Sequence, residues 1–380
     1  MDAAQILGYI PSEKLESLCV EYRVNYQVKK LDGLSMFQLL LYSFLTEKDT
    51  SYRVMEEIYH SIAFSKVASG VHEGVRYNSI RDRLTTINAD YFESIFHFCY
   101  NKFGNEISET DNIVLFDSTL VTSTSKLLKS GMKINTKGDK RYIKFSIGLR
   151  RVPVHAEIFT KQVYLSEDIA LAEAIKKYTR KDGDIIVFDR GITARKTYES
   201  LTENGHSFVT RVNPSVKYNI IENYPIELEN DNNGLVFRSD QRVQLYSQNN
   251  GKTKQFLRLI ICEKEGTPLL FLTNIKELTS LEIANIYKRR WEIEVFFKFI
   301  KQQLNFSHLM SRNENGIKIV LYMTLIAAIL LTVFKKHNKL KGYKIPKLRL
   351  AKQIEALIVR DIVVLCGGNP NKINEFYNSS

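Results

Sequence analysis

The run from Tyr287 to Lys301, YKRRWEIEVFFKFIK, holds the residues of this 380-residue chain whose types and spacing are best suited to chemistry. At about 100° of rotation per residue of an α-helix, Tyr287, Arg290, Glu294, Lys298 and Lys301 fall within an arc of roughly 80°. One stripe then carries a phenol, a carboxylate and three cations, a set able to grip an anion beside a metal site. Ile286, Ile293, Phe297, Ile300 and Leu304 form an apolar arc beside it, as in a helix half sunk into a core. Thr279 and Glu282 have the spacing of a capping box, so the helix is expected to start there. The plainer alternative is a solvated face on which Glu294 and Lys298 pair at i,i+4, worth a few tenths of a kcal/mol.

Two more carboxylates stand in matching contexts. Asn112 to Phe116 is a short apolar, β-branched run that leads into Asp117, and Ile185 to Phe188 is another that leads into Asp189. The two strand ends read VLFD and IVFD. Either aspartate alone would pass as a turn or cap residue; the pairing argues for a shared site. Asp111 is a rival for the first acid, but it stands at the entrance of the strand, about 20 Å from Asp117 along an extended run.

Placing such groups takes a sizeable fold, and the composition allows one. The chain is 44% apolar, with a formal charge of +12 and a pI near 9.3, which favours an anionic partner, nucleic acid first. Cys19, Cys99, Cys262 and Cys366 form no C-x-x-C pair, so neither a zinc site nor a disulfide framework is indicated, and a reducing cytoplasm fits. The seven histidines show no metal-binding spacing, and there is no phosphate-binding loop, dinucleotide fingerprint or serine-nucleophile elbow. No secretory signal opens the chain. Ile319 to Phe334 is almost wholly apolar but shorter than the ~20 residues that span a bilayer, so a buried core helix is expected and no membrane association.

Residues 1–108 read as helices: Met36 to Leu45, Ser51 to Val67, and Asn78 to Phe103. This region is expected to bind DNA, with Arg76, Arg81 and Arg83 suited to phosphates or else forming an ordinary solvated face. Residues 109–212 follow a β-β-β-α-β-α-β order, with strands at 141–149, 156–165 and 206–212, a helix capped by Ser166 that carries Glu167 and Asp168 in its first turn, and a helix near 193–204. Residues 213–278 read as a β-rich insertion, 279–335 as the stripe-bearing helix and the apolar helix after it, and 336–380 as a basic C-terminal region. Two one-sided basic stretches, Lys126 to Arg151 and Lys335 to Lys352, are expected to contact a DNA backbone.

That element order, with acids at two strand ends and a third on a later helix, is the pattern of a ribonuclease H-like core. The expected fold is α/β, a ribonuclease H-like catalytic core with a mixed sheet, interrupted by the β-rich insertion, plus the helical N-terminal region. The spacing Tyr287, two residues, Arg290, three residues, Glu294, six residues, Lys301 resembles the signature of the DDE transposases of bacterial insertion sequences, in the branch called insertion sequence family four. The resemblance covers roughly residues 108–335. It implies that Asp117, Asp189 and Glu294 are catalytic and that Tyr287, Arg290 and Lys301 grip the transposon end. Lys298 is added from its place on the stripe.

Three carboxylates within several ångströms repel by a few kcal/mol per pair at an effective dielectric near ~20, so Asp117, Asp189 and Glu294 are expected to hold Mg²⁺ or Mn²⁺, two ions serving in-line displacement at phosphorus. The resemblance implies a transposase that cuts at the inverted-repeat ends of its element and joins them to target DNA. It further implies double-stranded DNA, as ends and target, for a partner and a bacterial, nucleoid-associated place in the cytoplasm. Because two ends must be held together, a homodimer on DNA is expected, with no nucleotide cofactor. Some members of the family carry a stacking tryptophan in the insertion; this chain has only Trp291, outside it, which leaves a hairpin route open. Tyr218, Tyr224, Phe237, Tyr246 and Phe256 are the alternative stacking groups there. A catalytically silent DNA-binding derivative and a ribonuclease H-like nuclease are the competing functions.

Overall fold

The computed structural model describes residues 3–68, 72–104, 111–123, 131–134, 140–226, 234–247, 251–307, 309–370 and 372. Contacts divide the chain into two compact units, one of Met1–Ile107, Val121–Ser130 and Lys298–Ser380, the other of Ser108–Leu120 and Gly131–Phe297.

The first unit is helical. Its N-terminal part holds α1 (Ala3–Leu7), α2 (Ser12–Glu21), α3 (Gly33–Thr46), α4 (Tyr52–Tyr59), α5 (Ile62–Val67), α6 (Tyr77–Thr86) and α7 (Ala89–Cys99). The helix expected over 51–67 is two helices, because Ser61 accepts a hydrogen bond from the Phe64 amide and restarts the chain as an N-cap. The one expected over 78–103 likewise divides where Asn88 caps α7. Arg83 donates through Nε and Nη2 to the Leu31 and Val24 carbonyls, so most of its guanidinium is engaged within the helical unit.

In the second unit, which holds β1 up to Leu120, the chain builds β1 (Ile113–Ser123), β2 (Arg141–Arg150), β3 (Val152–Phe159), α8 (Glu167–Lys177), β4 (Ile185–Phe188), α9 (Arg195–Glu203) and β5 (Ser207–Val212). Residues 162–165, expected to end the third strand, form a 3₁₀ turn instead. Then come β6 (Tyr218–Asn223), β7 (Leu235–Ser247), β8 (Gly251–Lys252), β9 (Leu257–Lys264) and β10 (Thr267–Thr273), followed by α10 (Ser280–Lys288) and α11 (Trp291–Gln303). Among the described residues the strands form one sheet in the order β3-β2-β1-β4-β5-β10-β9-β7-β6, with β8 paired to β7. Strands β1, β4 and β5 run parallel, whereas β2–β3 and the β10–β9–β7–β6 series are antiparallel. This is a ribonuclease H-like core. The strands after β5 make no layer of their own; they extend the core sheet through the β5–β10 pairing.

The unit boundary falls within α11, between Phe297 and Lys298. The first unit then gains α12 (Glu314–His337) and α13 (Lys344–Leu365). Helix α12 is long and apolar enough to cross a membrane, yet 89% of its most apolar window is buried, against α3, α6, α7 and α13. It is a core helix of this unit. Among the exposed apolar residues of α13 are Ile345, Leu348, Val359 and Ile362.

The first basic stretch is not a continuous surface. Lys126, Lys129 and Lys137 lie outside the described residues, while Lys144 and Arg150 are buried. Arg150 donates to Asp184 and to the Tyr178 hydroxyl at 3.0 Å, and Asp184 also accepts from Tyr178 Oη and the Lys181 amide, each at 2.8 Å. This network ties the end of β2 to the approach to β4. Replacing Asp184 by Ala leaves a buried guanidinium without its counter-charge, so the expected loss of stability is about 3–5 kcal/mol. Denaturant unfolding of Asp184→Ala measures it; a change under about 1 kcal/mol, the size of a surface ion pair, would contradict this role.

Candidate active site

The sheet register places the first two acids. Ile113, Val114, Leu115 and Phe116 pair in parallel with Ile185, Ile186, Val187 and Phe188, all of them buried, because a parallel strand covered on both faces must be apolar throughout. Asp117 and Asp189 are each the next residue, so they emerge side by side. Asp117 is inside a strand rather than at its end, since β1 continues to Ser123. It is the first position of β1 past the β4 pairing.

The backbone receives both carboxylates. Asp117 Oδ1 accepts from the Ser118 amide at 2.7 Å, and Asp189 Oδ1 from the Gly191 amide at 2.8 Å. Thr210 on β5 donates to the carbonyls of Phe188 and Asp189 at 3.0 and 3.1 Å and fixes that strand end. Burial pushes the Asp117 carboxyl up to about 7, helped by the negative charges of Asp189 and Glu167 and opposed by the Ser118 amide and Arg290.

The third acid comes from a broken helix. The expected capping box is present, with the Glu282 amide donating to Thr279 Oγ1 and the Thr279 amide to Glu282 Oε2. The continuous helix expected through Lys301 instead divides at Arg289 and Arg290, where the amides of Arg289, Arg290, Glu292 and Ile293 bond to carbonyls three residues back. Such a 3₁₀ joint turns about 120° per residue, so the arc drawn on an ideal helix does not carry across it. Arg289 holds the joint. Its guanidinium clasps Asp111 at 2.8 and 2.7 Å and Glu292 at 3.0 Å. Burial pushes the Asp111 carboxyl up, but its bonds from Arg289 and the Ile113 amide, with the charge of Arg151, outweigh that and keep it below its ordinary value. Asp111 is therefore a structural partner, no rival for the first acid.

Tyr287 ends α10, Arg290 sits in the joint, and Glu294 lies in the first turn of α11. Arg290 ion-pairs with Glu294 and stands 3.9 Å from Asp117, with its guanidinium 6.0 Å from the Tyr287 ring. The same ring lies 5.3 Å from Phe271. Burial raises the Tyr287 hydroxyl, against the pull of Arg290 and Arg211. The structure thus brings Asp117, Asp189, Glu294, Arg290 and Tyr287 together. Lys298, exposed, and Lys301, half-buried, lie further along α11 in the other unit.

Sequence reasoning passed over Arg289, Arg211 and Glu167. Ser166 occupies the N-cap of α8 but its side chain makes no capping bond. Glu167, read as an acid at a helix start, pairs through Oε1 with the buried Lys144 at 3.1 Å.

Oxygen donors of this kind suit a hard divalent ion. Two observations bear on the fit: Asp117 is a half-buried carboxyl among negative neighbours, and Glu167 Oε2 is buried without a hydrogen-bond partner. Among the described residues no three His, Cys, Asp or Glu side chains are already gathered to hold a metal ion, and Glu294 is engaged by Arg290.

The raised Asp117 carboxyl has a pH signature. Below about pH 4 it is neutral in both folded and unfolded chains; between about 4 and about 7 only the unfolded carboxyl ionises; above about 7 both are ionised and the folded state bears the full penalty. In metal-free buffer, Asp117→Asn is therefore expected to gain stability over wild type as pH rises through this window, by a few kcal/mol at the plateau. Parallel melts from pH 4.5 to 8.5 test this, and a pH-independent difference would contradict it.

A sequence profile described as Transposase DDE domain matches residues 108–330. The chain is 27% identical over 161 residues to "Putative transposase y4zB" of Sinorhizobium fredii, covering 42% of this chain and 45% of that protein. It is 28% identical over 176 residues to "Putative transposase for insertion sequence element IS4SA" of Synechocystis, covering 44% and 46%. The matches therefore span less than half the length of these relatives. The structure of piggyBac transposase in a synaptic complex with hairpin DNA aligns with a TM-score of 0.49 at 11% identity, over 95% of this chain and 82% of that one. With the profile covering more than half of its length, including Asp117, Asp189 and the Glu294 helix turn, the chain belongs to the DDE transposase family.

Proposed function

We propose that this chain is a DNA transposase that binds the inverted-repeat ends of an insertion sequence, cleaves at those ends and transfers the freed 3′-hydroxyls to target DNA. The observation that carries the reading is the emergence of Asp117 and Asp189 from neighbouring parallel strands beside Glu294 and Arg290. Asp117, Asp189 and Glu294 would hold Mg²⁺ or Mn²⁺, two ions in the full assembly. The ions would supply an activated water or 3′-hydroxyl and a counter-charge for the leaving oxygen.

The remaining roles belong to the chain itself. Arg290, which balances Glu294 and Asp117 in the DNA-free protein, has a planar fork that suits a phosphate equally well. Tyr287 is held between Phe271 and Arg290 with its hydroxyl protonated, a donor for a phosphate oxygen. Lys298 and Lys301 would add point charges along the DNA backbone. The family membership, the basic composition and the all-oxygen donor set support this reading. Because two ends must be cut and joined together, a homodimer on DNA is the assembly proposed.

The test is cleavage and joining of a labelled duplex carrying the terminal inverted repeat, with Mg²⁺, for wild type and Glu294→Gln. Joined product should fall by roughly a hundredfold or more in the variant, the scale of losing one charge-stabilising group at a transition state, while end binding persists. Cleaved but never joined product would favour a nuclease, and binding without cleavage in either protein a silent DNA-binding derivative.

A further inference from the structure

Phe188, the last residue of β4, pairs in parallel with Thr210 near the end of β5, so the loops that follow these strands leave the sheet side by side. Crevices outside the carboxyl ends of parallel strands are where α/β sheets take up ligands. Here the two loops enclose a cleft of about 220 Å³. Arg190 and Arg195 line it from the first loop and the start of α9, and Asn213 and Ser215 line it from the second. Ile192, Val212 and Leu245, all buried, give it an apolar wall.

Both loops are tied down. In the first, the Gly191 amide donates to Asp189 Oδ1 at 2.8 Å, the Thr193 and Ala194 amides donate to Asp168 Oδ1 at 2.5 and 2.7 Å, and the buried Tyr198 hydroxyl donates to the Ile192 carbonyl. In the second, the Val216 amide donates to the Asn213 carbonyl, and the Tyr246 amide on β7 to the Lys217 carbonyl, each at 3.0 Å. The arginines have no such ties. No carboxylate lines the cleft, and among the described residues neither Arg190 nor Arg195 enters a hydrogen bond or an ion pair. Arg195 Nε is buried without an acceptor. A guanidinium N–H withdrawn from water and left unpaired is unfavourable, and an anion in the cleft is the partner that relieves it.

Two planar cationic forks with a hydroxyl and a side-chain amide opposite them suit a phosphate, and the apolar wall suits a sugar attached to it. The volume falls short of the ~300 Å³ at which sites for whole small molecules begin, so the cleft fits one group of a longer chain better than a free nucleotide. We propose that this cleft binds a backbone phosphodiester of DNA through Arg190 and Arg195. The inference rests on the reading of the chain as an enzyme that acts on DNA, and it adds a contact outside the Tyr287–Lys301 run. Arg190 directly follows Asp189, so the contact would fix the DNA backbone beside one of the proposed metal-holding acids, positioning it without reading its sequence.

The test is binding of the full-length chain to a labelled duplex carrying the terminal inverted repeat, followed by fluorescence anisotropy over a range of salt concentrations. Arg190→Gln and Arg195→Gln are each expected to weaken binding about fivefold near ~0.15 M salt and to reduce the log–log salt slope by about 0.9, the value of one phosphate contact. Arg195→Lys, which keeps the charge but loses the fork, should keep the slope and lose part of the affinity. Lys176→Gln, on α8 and outside the cleft, should change neither. Thermal melts show that each variant is folded. Wild-type slope and affinity in both folded glutamine variants would overturn the inference while leaving DNA binding intact. The same result together with stabilisation by inorganic phosphate that Arg195→Gln abolishes would overturn it in favour of a site for the free anion. No binding of any duplex by the wild type would overturn the DNA reading itself.

Discussion

Two carboxylates that leave neighbouring parallel strands at the same level repel each other by a few kcal/mol at an effective dielectric near ~20. The surroundings of Asp117 and Asp189 are organised around that repulsion. One backbone amide serves each carboxylate, Arg290 stands between Asp117 and Glu294, and Asp117 retains a proton up to about pH 7. None of these devices removes the strain, because the sheet register that creates it is set by four pairs of buried apolar residues. A site of this kind is stable enough to fold but short of positive charge, part of which its own Arg290 supplies.

The rest of the unit supplies rigidity from buried ion pairs. Arg150 with Asp184 and Arg258 with Asp240 are largely withdrawn from water, and Lys144 with Glu167 and Arg289 with Asp111 are partly so. Each joins segments distant in sequence: Arg258 also donates to the Leu278 carbonyl at the approach to α10, and Ser280 at its start bonds to Asp240. The helix that brings Glu294 to the sheet is thus located by polar contacts at both of its approaches, Asp240 before α10 and Asp111 at the joint. Such pairs add little net stability but are costly to break singly, which suits them to fixing geometry.

Much of this was legible in the sequence where the cause is local. The apolar runs before Asp117 and Asp189 read as buried strands because both faces of a parallel strand are covered, and the Thr279–Glu282 box read as a helix start because its hydrogen bonds span three residues. The joint at Arg289 was hidden because the group that stabilises it, Asp111, lies 178 residues away. The length of β1 was obscured by its polar second half, Asp117 to Ser123, which breaks the apolar pattern of a strand. Lys144 and Arg150 looked like surface charge for the same kind of reason, since burial of a cation depends on partners that only the fold brings near. Glu167 was masked by an innocent explanation, an acid in the first turn of a helix, because the buried lysine it pairs with, Lys144, lies on β2.

The proposed chemistry requires that the acids at the sheet and at the helix joint act as one cation site. The most direct measurement replaces the physiological ion with Fe²⁺ and, with ascorbate and peroxide, maps where the polypeptide is cut by radicals released at the bound metal. Cuts confined to the neighbourhoods of Asp117, Asp189 and Glu294, and suppressed together by excess Mg²⁺, are the predicted result. Cuts at one of these segments alone, or dispersed along the chain and insensitive to Mg²⁺, would contradict it.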